Sequence, residues 1–227
     1  MRIHRTQSRL IQIAVLLAVL IFLSGVVKGS SWGGPANSSN GINETGSKKT
    51  LTNTKIVALG DSFTLGYPLG ADKSWTATLA DKLQVEVVNK GKVTQTGQDL
   101  LDRFDNDVLT EKPGRVIIFA GTGDALKNIS LSDFQGYIKS LAEKSSANNI
   151  IPILALPVWY PGYEKTIESM REWERSYALS QNIMVLDFNA SLFDSDKEYL
   201  TGLSTDGKYP NAKGYQVMGE YAATVLK

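Results

Sequence analysis

The chain lacks residues on which several classes of protein depend. It contains no cysteine and a single histidine, His4, among 227 residues. A disulfide framework and a thiolate metal site are therefore excluded, and one imidazole cannot form a histidine-based metal cluster. The sequence also has neither a G-x-G-x-x-G run after a strand nor a G-x-x-x-x-G-K-[ST] run, the two common phosphate-binding loops. We predict no metal and no cofactor.

An excess of charge of one sign is also missing from most of the chain. The formal net charge is +1, and the first 53 residues carry six of the 24 basic side chains but one of the 23 acidic ones. Residues 54–227 therefore have a net charge of −4. Because affinity for nucleic acid rests mainly on neutralising phosphates, we predict no nucleic-acid partner.

A basic and apolar segment opens the chain. Arg2, Arg5 and Arg9 precede a mostly apolar stretch at 10–27, which is near the minimum length for crossing a bilayer. Residues 1–27 are therefore predicted to be a cleaved signal peptide or an uncleaved signal-anchor helix, and the lack of a clear cleavage site favours the anchor. Either one predicts export, with the protein held on the membrane through this helix or secreted if the helix is cleaved.

The rest of the chain divides into a linker and one domain. Residues 28–53 are rich in Gly, Ser, Asn and Thr, a composition typical of flexible linkers. In residues 54–227, apolar strand-like runs alternate with amphipathic helical patterns, the strands being expected at 55–59, 85–89, 115–120, 150–156 and 183–187. This alternation predicts an α/β fold, a three-layer α/β/α sandwich around a five-stranded parallel sheet.

Two short motifs carry the candidate chemistry. A Gly-Asp-Ser run at 60–62 follows the first predicted strand, and an Asp-Gly-Lys-Tyr-Pro run at 206–210 precedes the last predicted helix. Ligands of open parallel sheets bind at the carboxyl ends of the strands, where Ser62 is expected to lie. Taken alone, the Gly-Asp-Ser run is more typical of a turn that caps a helix, and its position after the first strand, together with Gly66, makes the two interpretations comparable.

Together the two motifs resemble the first and last blocks of the SGNH (GDSL) hydrolases, a family of esterases and lysophospholipases. The resemblance extends over residues 54–227 and implies a flavodoxin-like fold that acts on acyl or acetyl esters. It further implies that Ser62 is the nucleophile and that Asp206 is its acidic partner. The backbone N–H groups of Ser62 and Gly91 would form the oxyanion hole.

Two positions depart from the family pattern. The third block, Gly-Thr-Gly-Asp at 121–124, has Gly123 where the family has an asparagine that donates to the oxyanion. Tyr209 stands where the family has its catalytic histidine. A phenol with a pKa near 10 is protonated at neutral pH and accepts a proton poorly. The neighbouring Lys208 is a less favoured candidate for the base.

The sequence thus supports two functional hypotheses. The first is an exported hydrolase-like protein that acts on acyl or acetyl esters with weak or lost activity. The second is a pseudoenzyme that uses the same cleft to bind a cell-envelope glycan, lipid or acylated ligand. Both hypotheses predict that five residues converge on one cleft at the edge of the sheet: Ser62, Gly91, Gly123, Asp206 and Tyr209.

Overall fold

A computed structural model describes residues 53–227 of the chain. Five strands form one parallel sheet in the order β2-β1-β3-β4-β5. The strands are β1 (Ile56–Gly60), β2 (Val87–Gly91), β3 (Arg115–Phe119), β4 (Ile151–Ala155) and β5 (Met184–Leu186). The chain passes from β1 to β2 on one side and then crosses to β3 on the other, the doubly wound order of flavodoxin-like proteins. The predicted α/β fold with a five-stranded parallel sheet is confirmed.

Helices cover both faces of the sheet. The α-helices are α1 (Ser62–Leu65), α2 (Trp75–Leu83), α3 (Gly97–Asp102), α4 (Phe104–Asp107), α5 (Thr122–Leu126), α6 (Leu131–Ala147), α7 (Glu164–Gln181), α8 (Asn189–Leu192) and α9 (Ala212–Leu226). Single 3₁₀ turns lie at Ala71–Lys73 and Leu109–Glu111.

Alternating side chains of the strands divide the core into two layers. On β1, Ile56 and Ala58 pack into a cluster with α2 and α9, while Val57 and Leu59 pack into a second cluster with α3, α4, α6 and α7. All four of these side chains are fully buried. Both faces of a parallel strand are covered in this way, which explains why the strands appear in the sequence as continuous apolar runs.

The register of the central strands aligns their carboxyl ends. Gly60, the last residue of β1, lies opposite Gly91 on β2 and opposite Phe119 on β3. The loops that follow these three strands therefore meet at one edge of the sheet. This edge is the switch point between β1 and β3, where doubly wound folds bind their ligands.

The second strand lies two residues later than predicted. Gln84 ends α2 in the left-handed conformation (φ 55°), and residues 85 and 86 form the connection to β2. Gly91 is consequently the last residue of the strand and is not in the loop beyond it.

The predicted signal segment and most of the linker, residues 1–52, lie outside the described residues. In the part of the chain that the structure describes, none of the helices has the length and apolar character needed to cross a bilayer. The division of the N-terminal region into residues 1–27 and 28–53 therefore stays a prediction.

Candidate functional site

Ser62 is the first residue of the short helix α1, directly beyond β1. Asp61 caps this helix, since its carboxylate accepts a hydrogen bond of 2.9 Å from the backbone N–H of Phe63. Asp61 and Ser62 are both buried. The Gly-Asp-Ser run is thus a helix cap, and it also presents Ser62 at the ligand-binding edge of the sheet.

Thr94 is a site residue that the sequence motifs did not reveal. Its backbone N–H donates a hydrogen bond of 3.0 Å to Ser62 Oγ. Its φ is 57°, in the left-handed region where a β-branched residue is rare. Nothing in the local sequence predicts this conformation, because it depends on how the loop after β2 packs over α1.

The N–H group of Gly91, which the resemblance implied as an oxyanion donor, forms a hydrogen bond within its own strand in the structure. Its N–H already donates to Asn89 Oδ1 at 2.9 Å. A Cβ at this position would lie 2.1 Å from the backbone nitrogen of Leu65, so Gly91 lets β2 pack closely against α1. The N–H group on Ser62 Oγ belongs to Thr94, three residues further along the chain.

The space expected for an asparagine side chain at position 123 is filled by backbone. A Cβ on Gly123 would lie 2.0 Å from the carbonyl oxygen of Gln95. The loop that carries Thr94 therefore packs directly on α5, and it does so because Gly123 has no side chain. An asparagine at this position would displace the loop from Ser62.

The Arg103 side chain joins the loop that carries Thr94 to the ends of β1 and β2. Its guanidinium donates to the Gly60 carbonyl at 2.9 Å, to the Lys90 carbonyl at 2.8 Å and to Gln95 Oε1 at 3.2 Å. The ends of β1 and β2 and the Thr94 loop are thus joined by one rigid, mostly buried donor.

Tyr209 lies beside Ser62, in the place predicted for the base. Its phenol interacts with the hydroxyl groups of Ser62 and Tyr160. Its ring centre lies 4.9 Å from that of Tyr67, 5.2 Å from that of Phe63 and 5.6 Å from that of Tyr160. Burial raises the pKa of Tyr209 above its ordinary value of 10, and the interaction with Tyr160 raises it further, while the hydrogen bond with Ser62 opposes the shift. Tyr209 is therefore a proton donor at neutral pH.

Asp206 faces its own loop. Asp206 Oδ1 accepts hydrogen bonds from the backbone N–H groups of Lys208 at 2.8 Å and Tyr209 at 2.9 Å, and from the Ser204 hydroxyl at 3.3 Å. Desolvation raises the pKa of Asp206, but these donors outweigh it and the net shift is downward. The ionised carboxylate thus stabilises the turn that carries Tyr209. Lys208 forms hydrogen bonds through its backbone N–H and carbonyl groups, and these do not support a Ser–Lys dyad.

Two buried carboxyl groups, those of Asp61 and Asp124, interact with each other near the serine. Burial raises the pKa of Asp61 to about 7, against the opposing N–H group of Phe63. The carboxylate of Asp124 accepts 3.0 Å hydrogen bonds from the N–H groups of Gly97 and Gly121, yet burial still raises its pKa. Among residues 53–227, no group of three carboxylate or imidazole side chains is arranged to hold a metal ion.

Comparison with known proteins identifies the family. The sequence profile of the GDSL-like Lipase/Acylhydrolase family matches residues 58–217. The chain belongs to this family. The match begins within β1 and ends within α9, so it includes Ser62, Thr94 and Tyr209, and the family resemblance drawn from the two motifs is confirmed.

Individual members of the GDSL-like family are similar to most of the described domain. Thioesterase 1/protease 1/lysophospholipase L1 of Escherichia coli (strain K12) is 24% identical over 181 residues, which cover 76% of this chain and 83% of that protein. The acetylxylan esterase of Geobacillus stearothermophilus is 25% identical over 153 residues, covering 60% and 70%. A solved structure from Desulfitobacterium hafniense DCB-2, described as lipolytic and of the G-D-S-L family, is 58% identical with a TM-score of 0.76. It covers 77% of this chain and all of that one.

The GDSL-like fold therefore brings together Ser62, Thr94, Gly123 and Tyr209. Gly91 packs beneath them, and Asp206 holds the turn that presents Tyr209. The family pattern suggested Gly91 as the donor because it follows a Val-Asn pair near a strand end. The motifs do not predict the role of Thr94, because its contact with Ser62 depends on how the loop packs over α1.

Proposed function

We propose that the Ser62 site binds acyl or acetyl esters and hydrolyses them slowly or not at all. One observation carries the proposal: Ser62 Oγ accepts a hydrogen bond from the Thr94 N–H, and the phenol beside it, Tyr209, has a raised pKa and stays protonated at neutral pH. The site keeps a buried serine and an N–H group for a developing oxyanion. Residues 53–227 contain no histidine, and within them Ser62 Oγ forms no hydrogen bond to a carboxylate.

The proposed reaction is an acyl transfer in which each group has a defined role. Ser62 Oγ forms a bond to the carbonyl carbon of the ester as its proton passes to solvent water, the bond to the alcohol oxygen then breaks, and a second water hydrolyses the acyl-serine. The Thr94 N–H, 3.0 Å from Oγ, is close enough to donate to the carbonyl oxygen as negative charge develops there. Tyr209 can donate a proton to the leaving alkoxide, but its raised pKa prevents it from activating Ser62.

The alternative is a pseudoenzyme that binds a cell-envelope glycan, lipid or acylated ligand without turnover. The packing of Gln95 against Gly123 favours it, because the loop fills the volume that an oxyanion-donating side chain would need. Binding of an ester carbonyl between Ser62 and Thr94 is common to both hypotheses. They differ only in whether the serine becomes acylated.

We expect the full chain to hydrolyse a short-chain aryl ester at least about 10³-fold more slowly than the 10 s⁻¹ typical of enzymes. Ser62→Ala is expected to remove whatever activity is present, because no acyl-enzyme can then form. The matched control is Ser169→Ala, which removes an exposed serine on α7. Turnover near 10 s⁻¹ that Ser62→Ala abolishes would show that the enzyme is fully active and that another group serves as base.

We further propose that the protein is exported and stays attached to the membrane through residues 1–27. The arginine-flanked apolar segment supports this proposal. Alkaline carbonate extraction of cells that produce the full chain should leave it in the membrane fraction, with an intact N-terminus by sequencing. A soluble chain that begins near Ser30 would contradict the anchor while supporting export.

A further inference from the structure

A small, partly enclosed cavity lies next to Tyr209 and is not used by the proposed reaction. Four aromatic residues and two acidic residues are among those that line it. The aromatic residues are Trp159, Tyr160, Phe193 and Tyr199, and the acidic residues are Glu164 and Glu198. We name it the aromatic cavity. Tyr160 belongs to both sites, since it lines the cavity and its ring centre lies 5.6 Å from that of Tyr209.

The walls of the aromatic cavity are held in place by the fold. The rings of Phe193 and Tyr199 lie 4.2 Å apart, and the two residues form an antiparallel bridge. The Tyr199 hydroxyl donates to the carbonyl of Lys208 at 3.2 Å. Trp159 is buried and packs in the hydrophobic core. The aromatic faces are thus largely preorganised, which lowers the entropic cost of binding a ligand between them.

The structure places a cation in this cavity already. Lys197 Nζ lies 4.2 Å from the centre of the Trp159 ring, well within the range of a cation–π interaction. The same ammonium pairs with Glu168 at 2.9 Å, and its side chain is 41% exposed. Arg171 also lies over Trp159, at 4.8 Å, and pairs at 2.8 Å with Asp187, a carboxylate that it shares with Arg175. The cavity therefore favours positive charge, and its present occupant is half exposed and displaceable.

We propose that the aromatic cavity binds a quaternary ammonium group, such as the trimethylammonium end of a choline-type alcohol, and that Lys197 occupies it when no ligand is bound. A quaternary ammonium has no N–H to leave unpaired, so aromatic faces can replace water around it at little cost. Glu164 and Glu198 supply the opposite charge. The role of the cavity as a subsite for the alcohol part of an ester rests on the proposed function of Ser62. Binding of the quaternary ammonium group itself does not rest on it.

Binding is measured by isothermal titration calorimetry of choline into the full chain, without any choline-based detergent. The uncharged isostere 3,3-dimethylbutan-1-ol and a methyl glycoside are titrated in parallel. We expect saturable binding of choline and none of the isostere, because the isostere has the same shape but no charge. Lys197→Gln should tighten choline binding about two- to fivefold, since it removes the competing cation. Glu198→Gln should weaken it.

The controls separate this inference from the proposed function. Lys165→Gln removes an exposed lysine from α7 and should leave choline affinity unchanged. Ser62→Ala should also leave it unchanged, so failure of ester hydrolysis does not affect this result. The inference is overturned if choline fails to bind Lys197→Gln, if the isostere binds as tightly as choline, or if only the methyl glycoside binds.

Discussion

Replacement of Tyr209 by histidine is expected to raise the rate of aryl-ester hydrolysis by about 10²-fold near pH 8. The phenol at this position already interacts with the hydroxyl of Ser62. An imidazole with a pKa near 6.5 is neutral at that pH and can accept the serine proton, a contribution typical of general base catalysis. The measurement is the initial rate of wild type and Tyr209→His with the same substrate. The gain should disappear in the Ser62→Ala, Tyr209→His double variant.

Tyr209→Phe is the matched control for this experiment, because it removes the phenol without adding a base. It should show no gain, and an equal gain in both variants would mean that the tyrosine merely blocks the site. Gly123→Asn should not be combined with Tyr209→His. The Cβ of an asparagine would meet the Gln95 carbonyl at 2.0 Å and would move the Thr94 N–H away from Ser62. Adding it should lower stability and the rate.

The free energy of unfolding is expected to fall as pH rises from about 4 to about 7, and Asp61→Asn should reduce that fall. The pKa of Asp61 is raised by burial from its ordinary 3.8 to about 7 in the folded protein. Between these values the folded state holds a proton that the unfolded state releases, so stability decreases with pH and levels off above 7. A pKa shift of this size corresponds to a decrease in the free energy of unfolding on the order of 4 kcal/mol at most.

Chemical denaturation of wild type and Asp61→Asn at a series of pH values tests this expectation. Asparagine keeps the cap on α1, so at pH 8 the variant should be the more stable protein. Burial also raises the pKa of Asp124 and Glu174, so some slope should remain in the variant. Asp206→Asn provides the contrast. The pKa of Asp206 is lowered, so its charge contributes stability above about pH 4, and its loss should destabilise the protein at pH 8. A wild type with constant stability from pH 4 to 7 would contradict the expectation.

The candidate site was only partly predictable from the sequence. Ser62 and Tyr209 could be placed because each belongs to a contiguous motif next to a strand or a helix. The role of Gly91 as an oxyanion donor stays a prediction, and the motif did not reveal that its N–H group donates to a side chain two residues away. Thr94 was missed because its contact with Ser62 joins residues 32 positions apart.

The sequence by itself determined the α/β fold and the family of this protein. Buried parallel strands require continuous apolar runs, and a serine at a strand end requires a compact polar turn, so both leave local patterns that can be recognised. The tertiary structure alone decided which N–H contacts Ser62, where Asp206 points and what fills the space beside Gly123. These features depend on the close packing of loops from different strands, and packing between distant segments leaves no periodic signal in the chain.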